Sequence, residues 1–96
     1  DIRNTKIIDI YNDLCAEGCE VDIYDPWISK AAALHEFGID VIEYPSKDQY
    51  DGILIAVGHN EFKAMGSAAI REFGNAGHIL YDLKYIFNAS EVDLRL

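Results

Sequence analysis

YDGILIAVGHNEF, residues 50–62, is the stretch whose reading decides the fold. Ile53, Leu54, Ile55, Ala56 and Val57 form an apolar run with no polar alternation, the pattern of a strand covered by helices on both faces. Such a strand belongs in the middle of a parallel sheet. Gly58, His59, Asn60 and Glu61 follow it, small and polar residues at the carboxyl end of the strand, where open α/β sheets place their ligand crevices.

Outward from this strand, helical and extended patterns alternate. Upstream, Ile7, Ile8, Ile10, Tyr11, Leu14 and Cys15 recur at helical spacing as far as Gly18, a left-handed stop. Cys19, Val21 and Ile23 then alternate with Glu20, Asp22 and Tyr24, predicting a half-exposed strand that ends at Asp25-Pro26-Trp27. Ser29 is placed to cap a short helix through Phe37, closed by Gly38, and Ile39 to Ile42 make a brief edge strand. Downstream, Phe62 and Met65 predict one helical turn broken at Gly66. Ser67 then caps a segment reaching Gly74, and His78 to Tyr81 form the last strand, ending at Asp82. Asn88 to Leu96 carries no clear pattern.

This order predicts an α/β fold, a three-layer α/β/α Rossmann-like open parallel sheet with right-handed crossovers, in one domain spanning residues 1–96. The chain opens with a helix, whereas a doubly wound domain opens with a buried strand. It is therefore read as a fragment lacking the first strand of its sheet, with two strand edges exposed to self-association.

Composition excludes several functions. A formal charge of −9, from 17 acidic against 8 basic residues, argues against binding to nucleic acid or to an anionic membrane, both of which need a basic surface. No apolar stretch approaches the ~18 residues of a membrane span, and the first residues lack the layout of a signal peptide. Two cysteines, Cys15 and Cys19, are too few for a disulfide scaffold or a four-ligand zinc site and are expected to be buried thiols in a reducing compartment. Glycines 52, 58, 66, 74 and 77 form neither a phosphate loop nor a dinucleotide fingerprint.

Arg3 lies where a helix begins, a place that favours anions, and its guanidinium could clamp a phosphate with two prongs; the alternative is a solvated arginine at a frayed end. Lys84 follows the last strand, on the same sheet edge as Gly58 to Asn60, and could reach a ligand held there. Its alternative is a surface lysine in a weak ion pair with Asp82. His59 is placed either for proton transfer or to cap the next helix or hydrogen-bond a neighbouring loop. Asp25 and Asp82 both end strands, but a phosphorylatable receiver domain needs its acceptor at the position that Gly58 or His59 occupies. Asn88-Ala89-Ser90 fits a glycosylation acceptor, a pattern common by chance.

DIRNTK (1–6) opening a helix, VDIYDPW (21–27) ending a strand, VGHNEF (57–62) after the apolar strand and ILYDLKYIF (79–87) resemble, in that order, the carboxyl-terminal UDP-binding domain of the UDP-glucose/GDP-mannose dehydrogenase family. The likeness covers the whole chain, extends to the ending VDLRL, and is nearest to the branch that oxidises UDP-N-acetylhexosamines for bacterial surface polysaccharides. It implies a cytoplasmic enzyme with an amino-terminal NAD-binding Rossmann domain, a central helical domain that carries homodimerisation, and this domain for the UDP-sugar. The family oxidises the sugar's C6 alcohol to a carboxylate in two NAD-dependent steps, through a cysteine thioester. That cysteine precedes this domain, so neither Cys15 nor Cys19 matches it, and the resemblance assigns the chain no catalytic residue and no metal ligand. Arg3 matches an arginine that reaches the cofactor side of the cleft, with Asn4-Thr5 replacing the usual acidic and small residues. Lys84 matches a basic position that contacts the nucleotide-sugar, usually arginine, and keeps the charge without the fork. A further family lysine would fall before Asp1, so the isolated chain is expected to be inactive and to bind UDP weakly. The competing reading is a stand-alone flavodoxin-like regulatory or interaction module.

Overall fold

The computed structural model describes residues 5–95. They divide into two compact units, one ending at Pro45 and the other beginning at Ser46. Among the described residues no helix is long and apolar enough to cross a membrane.

In the first unit, α1 (Thr5–Ala16) ends as its sequence predicts. Gly18 adopts φ +91°, and the Gly18 and Cys19 amides return to the Cys15 and Leu14 carbonyls at 3.0 and 3.1 Å, a Schellman stop. α2 (Lys30–Phe37) is capped by the Ser29 hydroxyl, which accepts the Ala32 amide at 3.0 Å, and is closed by Gly38 at φ +66°. Ala33, Ile39 and Val41 form its buried core, with Ile8, Tyr11, Ile23, Ile28 and Phe37 packed against them. Two expectations are corrected here. The strands foreseen at 19–24 and 39–42 reduce to a single parallel bridge, Ile23 with Val41, because only these residues meet in register. Both cysteines are exposed and unpaired: Cys15 lies on the solvent side of α1, and Cys19 falls beyond the helix stop.

The second unit is a parallel sheet with helices. β1 (Tyr50–Ile55) pairs with β2 (Gly74–Asp82), and β2 pairs with β3 (Leu94–Arg95), both in parallel, in the order β1-β2-β3. α3 (Asn60–Met65) and α4 (Ser67–Arg71) lie in the connection between β1 and β2. The register pairs Ile53 with Leu80 and Ile55 with Asp82, so these four share one face. Ile55, Ile70, Leu80, Phe87 and Val92 are buried together, with Phe62 and Met65 of α3 packed on them. Burying Leu80 alone contributes roughly 1.5–3 kcal/mol.

The apolar run is thus covered on one face within this unit rather than on both, and Leu54, Ile79 and Leu94 on the other face are exposed. The middle strand of this sheet is β2, since the tail foreseen as patternless supplies β3. α4 also begins differently from its expected cap. Gly66, at φ +82°, precedes it, while the Ser67 hydroxyl donates to Glu91 at 3.0 Å.

Candidate functional site

Because β1 and β2 run in parallel, both carboxyl ends reach the same edge, and the chain leaves each strand there through a short loop. The two loops are tied together where they start: the Leu83 amide donates to the Ile55 carbonyl at 3.0 Å. A Cβ added at Gly58 would lie 3.6 Å from Ile86 Cγ2 and 4.0 Å from Lys84 Cβ, so the backbone after β1 passes directly beside the Lys84 loop. Gly58 and Lys84, 26 positions apart in the chain, therefore share one edge, as their sequence positions predict.

Lys84 is exposed there, and among the described residues its ammonium makes no hydrogen bond or ion pair. The Asp82 carboxylate, the partner suggested by the bland reading of Lys84, is occupied elsewhere. It is fully buried, one oxygen accepting the Lys84 backbone amide and the other the Phe87 amide, both at 3.0 Å. A carboxylate accepting amides at i+2 and i+5 shapes a turn, a role that sequence reasoning missed. The residue type and its place at a strand end were visible, but which amides turn back to it was not. Arg95 was missed as well. It stands opposite Asp82 in the β2–β3 register, with its guanidinium carbon 4.2 Å from the centre of the Tyr85 ring and Nη1 donating to the Phe87 carbonyl at 3.1 Å.

His59 lies on the same edge with another function. It is buried and precedes α3, its carbonyl accepts the Phe62 amide at 3.0 Å, and its ring stacks on Phe62 with centroids 5.6 Å apart. This is the capping alternative, achieved through the backbone rather than the ring. In the first unit, Asp25 is buried with Oδ1 accepting the Trp27 amide at 2.8 Å, a turn-forming carboxylate like Asp82. Lys30 nearby is paired with Asp40 at 3.4 Å. Asn88 forms a capping box with Glu91 at the 3-10 turn Ala89–Glu91.

Arg3 lies outside the described residues. Among those described, no three histidine, cysteine or acidic side chains converge to hold a metal. The dinucleotide implied by the resemblance does not fit them either: the connection from β1 to α3 has one glycine and a buried His59, with no glycine-rich turn to admit a pyrophosphate.

Comparison with known proteins identifies the family of the chain. The family model for the UDP-glucose/GDP-mannose dehydrogenase family, UDP binding domain, matches residues 1–89. Over all 96 residues the chain is 50% identical to a UDP-N-acetyl-D-glucosamine 6-dehydrogenase of Pseudomonas aeruginosa and 48% identical to one of Salmonella typhi, spanning 23% of each relative's length. Over 94 residues, 98% of the chain and 22% of the relative, it is 32% identical to Protein CapL of Staphylococcus aureus. No solved structure matches it. The matched region includes both strand ends and the loop they support, and the chain belongs to the UDP-glucose/GDP-mannose dehydrogenase family as its UDP-binding domain.

Proposed function

We propose that this chain is the carboxyl-terminal UDP-sugar-binding domain of an NAD-dependent UDP-N-acetylhexosamine 6-dehydrogenase, with Lys84 as its contact to the nucleotide-sugar. The observation that carries the reading is an exposed ammonium with no partner among the described residues, on the carboxyl edge of a parallel sheet and beside the Gly58 backbone. An exposed cation on that edge, in a chain of net charge −9, is suited to one placed anionic group rather than to a general attraction for polyanions.

On this reading Arg3, from the DIRNTK element, faces the cofactor. NAD is bound mainly by another domain of the same polypeptide, a homodimer forms through a central helical domain, and the enzyme is cytoplasmic. When bound, NAD supplies the hydride acceptor for oxidation at the sugar's C6. This domain contributes substrate binding and no reacting group. The chain's likeness to dehydrogenases over its full length supports this reading over a stand-alone interaction module.

The test is steady-state kinetics of the intact dehydrogenase. Lys84→Ala removes a charge-assisted contact of about 1.5–3 kcal/mol, so the KM for the UDP-sugar should rise roughly tenfold to a hundredfold. The KM for NAD should stay unchanged. An unchanged KM for the UDP-sugar would remove Lys84 from the site.

A further inference from the structure

Four residues, Leu83 to Ile86, separate the end of β2 from the buried Phe87 side chain, and this short loop is gripped from two sides. From within, the Asp82 carboxylate, completely shielded from solvent, holds the Lys84 and Phe87 amides, one on each oxygen. From without, Arg95 of β3 lays its guanidinium over the Tyr85 ring and donates to the Phe87 carbonyl. Between these grips Tyr85 adopts φ +56°, a left-handed conformation uncommon for a residue with a side chain. Such backbone persists only where its surroundings over-determine it, and it gathers where a loop must hold one shape for a ligand. Gly58 completes the enclosure, its backbone lying against the Lys84 and Ile86 side chains.

A connection whose only task is to lead from β2 to the next element has no use for a buried carboxylate, a cation on an aromatic ring and a left-handed tyrosine within a few residues. The residue fixed at the tip of this arrangement is Lys84. Its flexible four-carbon stem otherwise loses conformational freedom whenever the ammonium engages an anion. Fixing its backbone beforehand reduces that loss.

We propose that Asp82 and Arg95 are positioning residues that hold the Leu83–Phe87 loop in the one conformation that offers Lys84 to the diphosphate of a UDP-sugar. The proposal rests on the reading of Lys84 as the substrate contact. It adds that the affinity gained through Lys84 depends on two side chains that act through the loop and not on the ligand.

The experiment is titration of the intact dehydrogenase with UDP, comparing Asp82→Asn, Arg95→Met and Lys84→Ala, singly and with each of the first two combined with the third. Asp82→Asn keeps volume and shape but leaves an amide where one of the two loop N–H groups needs an acceptor. Arg95→Met keeps an apolar stem on Tyr85 without the charge. Both single variants should weaken UDP about three- to tenfold, with the KM for NAD unmoved. In the Lys84→Ala background neither should weaken UDP further, because their effect passes through Lys84.

Equal weakening with and without Lys84 would mean a general structural effect and would overturn the proposal, as would undiminished UDP affinity in both single variants. If Asp82→Asn does not fold, the exposed Arg95→Met decides by the same criteria. Failure of the underlying reading looks different: Lys84→Ala alone would then leave UDP binding intact.

Discussion

Arg71 shows how single side chains tie the last residues of the chain to the sheet. Its guanidinium donates to Asp93 Oδ2 at 3.0 Å and to the Glu91 carbonyl at 3.2 and 3.3 Å, and it meets His78 Nε2 at 2.9 Å. His78 Nδ1 faces the Asn75 carbonyl at 2.7 Å, an acceptor to which a ring N–H at that position donates, and this leaves Nε2 to accept from Arg71. Asp93 Oδ2 also accepts the Leu80 amide at 2.8 Å. The Arg71 hydrogen bond first, and the Leu80 amide second, hold the Asp93 carboxyl below the usual carboxylate range. A carboxyl whose pKa is lowered by folding stabilises the fold above its unfolded value of about 3.9, and that contribution disappears as pH falls through the lowered folded value. The urea midpoint of the native chain should therefore decline more steeply than that of Asp93→Asn as pH drops below about 4. Parallel curves for the two proteins would show that Asp93 carries no linked proton.

At the scale of the element, β2 departs from a regular strand in its first half. Tyr50 pairs with Gly74, but the next pair joins Gly52 to Ile79, so β2 spends five residues where β1 spends two. The irregularity curls His78 back until its ring occupies the space of a Cβ at Gly74. That ring is anchored by Asn75 and Arg71 and cannot swing aside freely. Gly74→Ala should destabilise the fold by about 1–3 kcal/mol through overpacking, read as a lower urea midpoint at constant m-value. An unmoved midpoint would mean that the ring yields. Elements of this kind separate what the sequence reveals from what it hides. The run Ile53–Val57 was legible because apolar residues in succession, flanked by glycine and polar residues, have few alternatives. The opposing placement of Gly58 and Lys84 followed from parallel order alone. The first half of β2 was hidden, since Gly74-Asn75-Ala76-Gly77 reads as a turn and joins the sheet only through a bulge. β3 has two paired residues and no period to detect, and with it went Arg95 and the bracing of the Lys84 loop.

For the molecule as a whole, each of the two units closes a hydrophobic cluster of its own, one around Ala33, Ile39 and Val41 and the other around Leu80. The single tryptophan, Trp27, lies in the first unit but outside its cluster, in the turn that Asp25 organises, and is 61% exposed. Its indole is already largely in water, so the emission maximum should move little when urea unfolds the chain, while far-UV ellipticity is lost. A large red shift would place Trp27 in a drier setting than the fold gives it. The consequence is optical: an indole that already sits in water offers little native signal to read, so a reporter for the Lys84 loop has to be installed in that loop. Tyr85→Trp would seat an indole beneath the Arg95 guanidinium and turn that loop into its own reporter lamp.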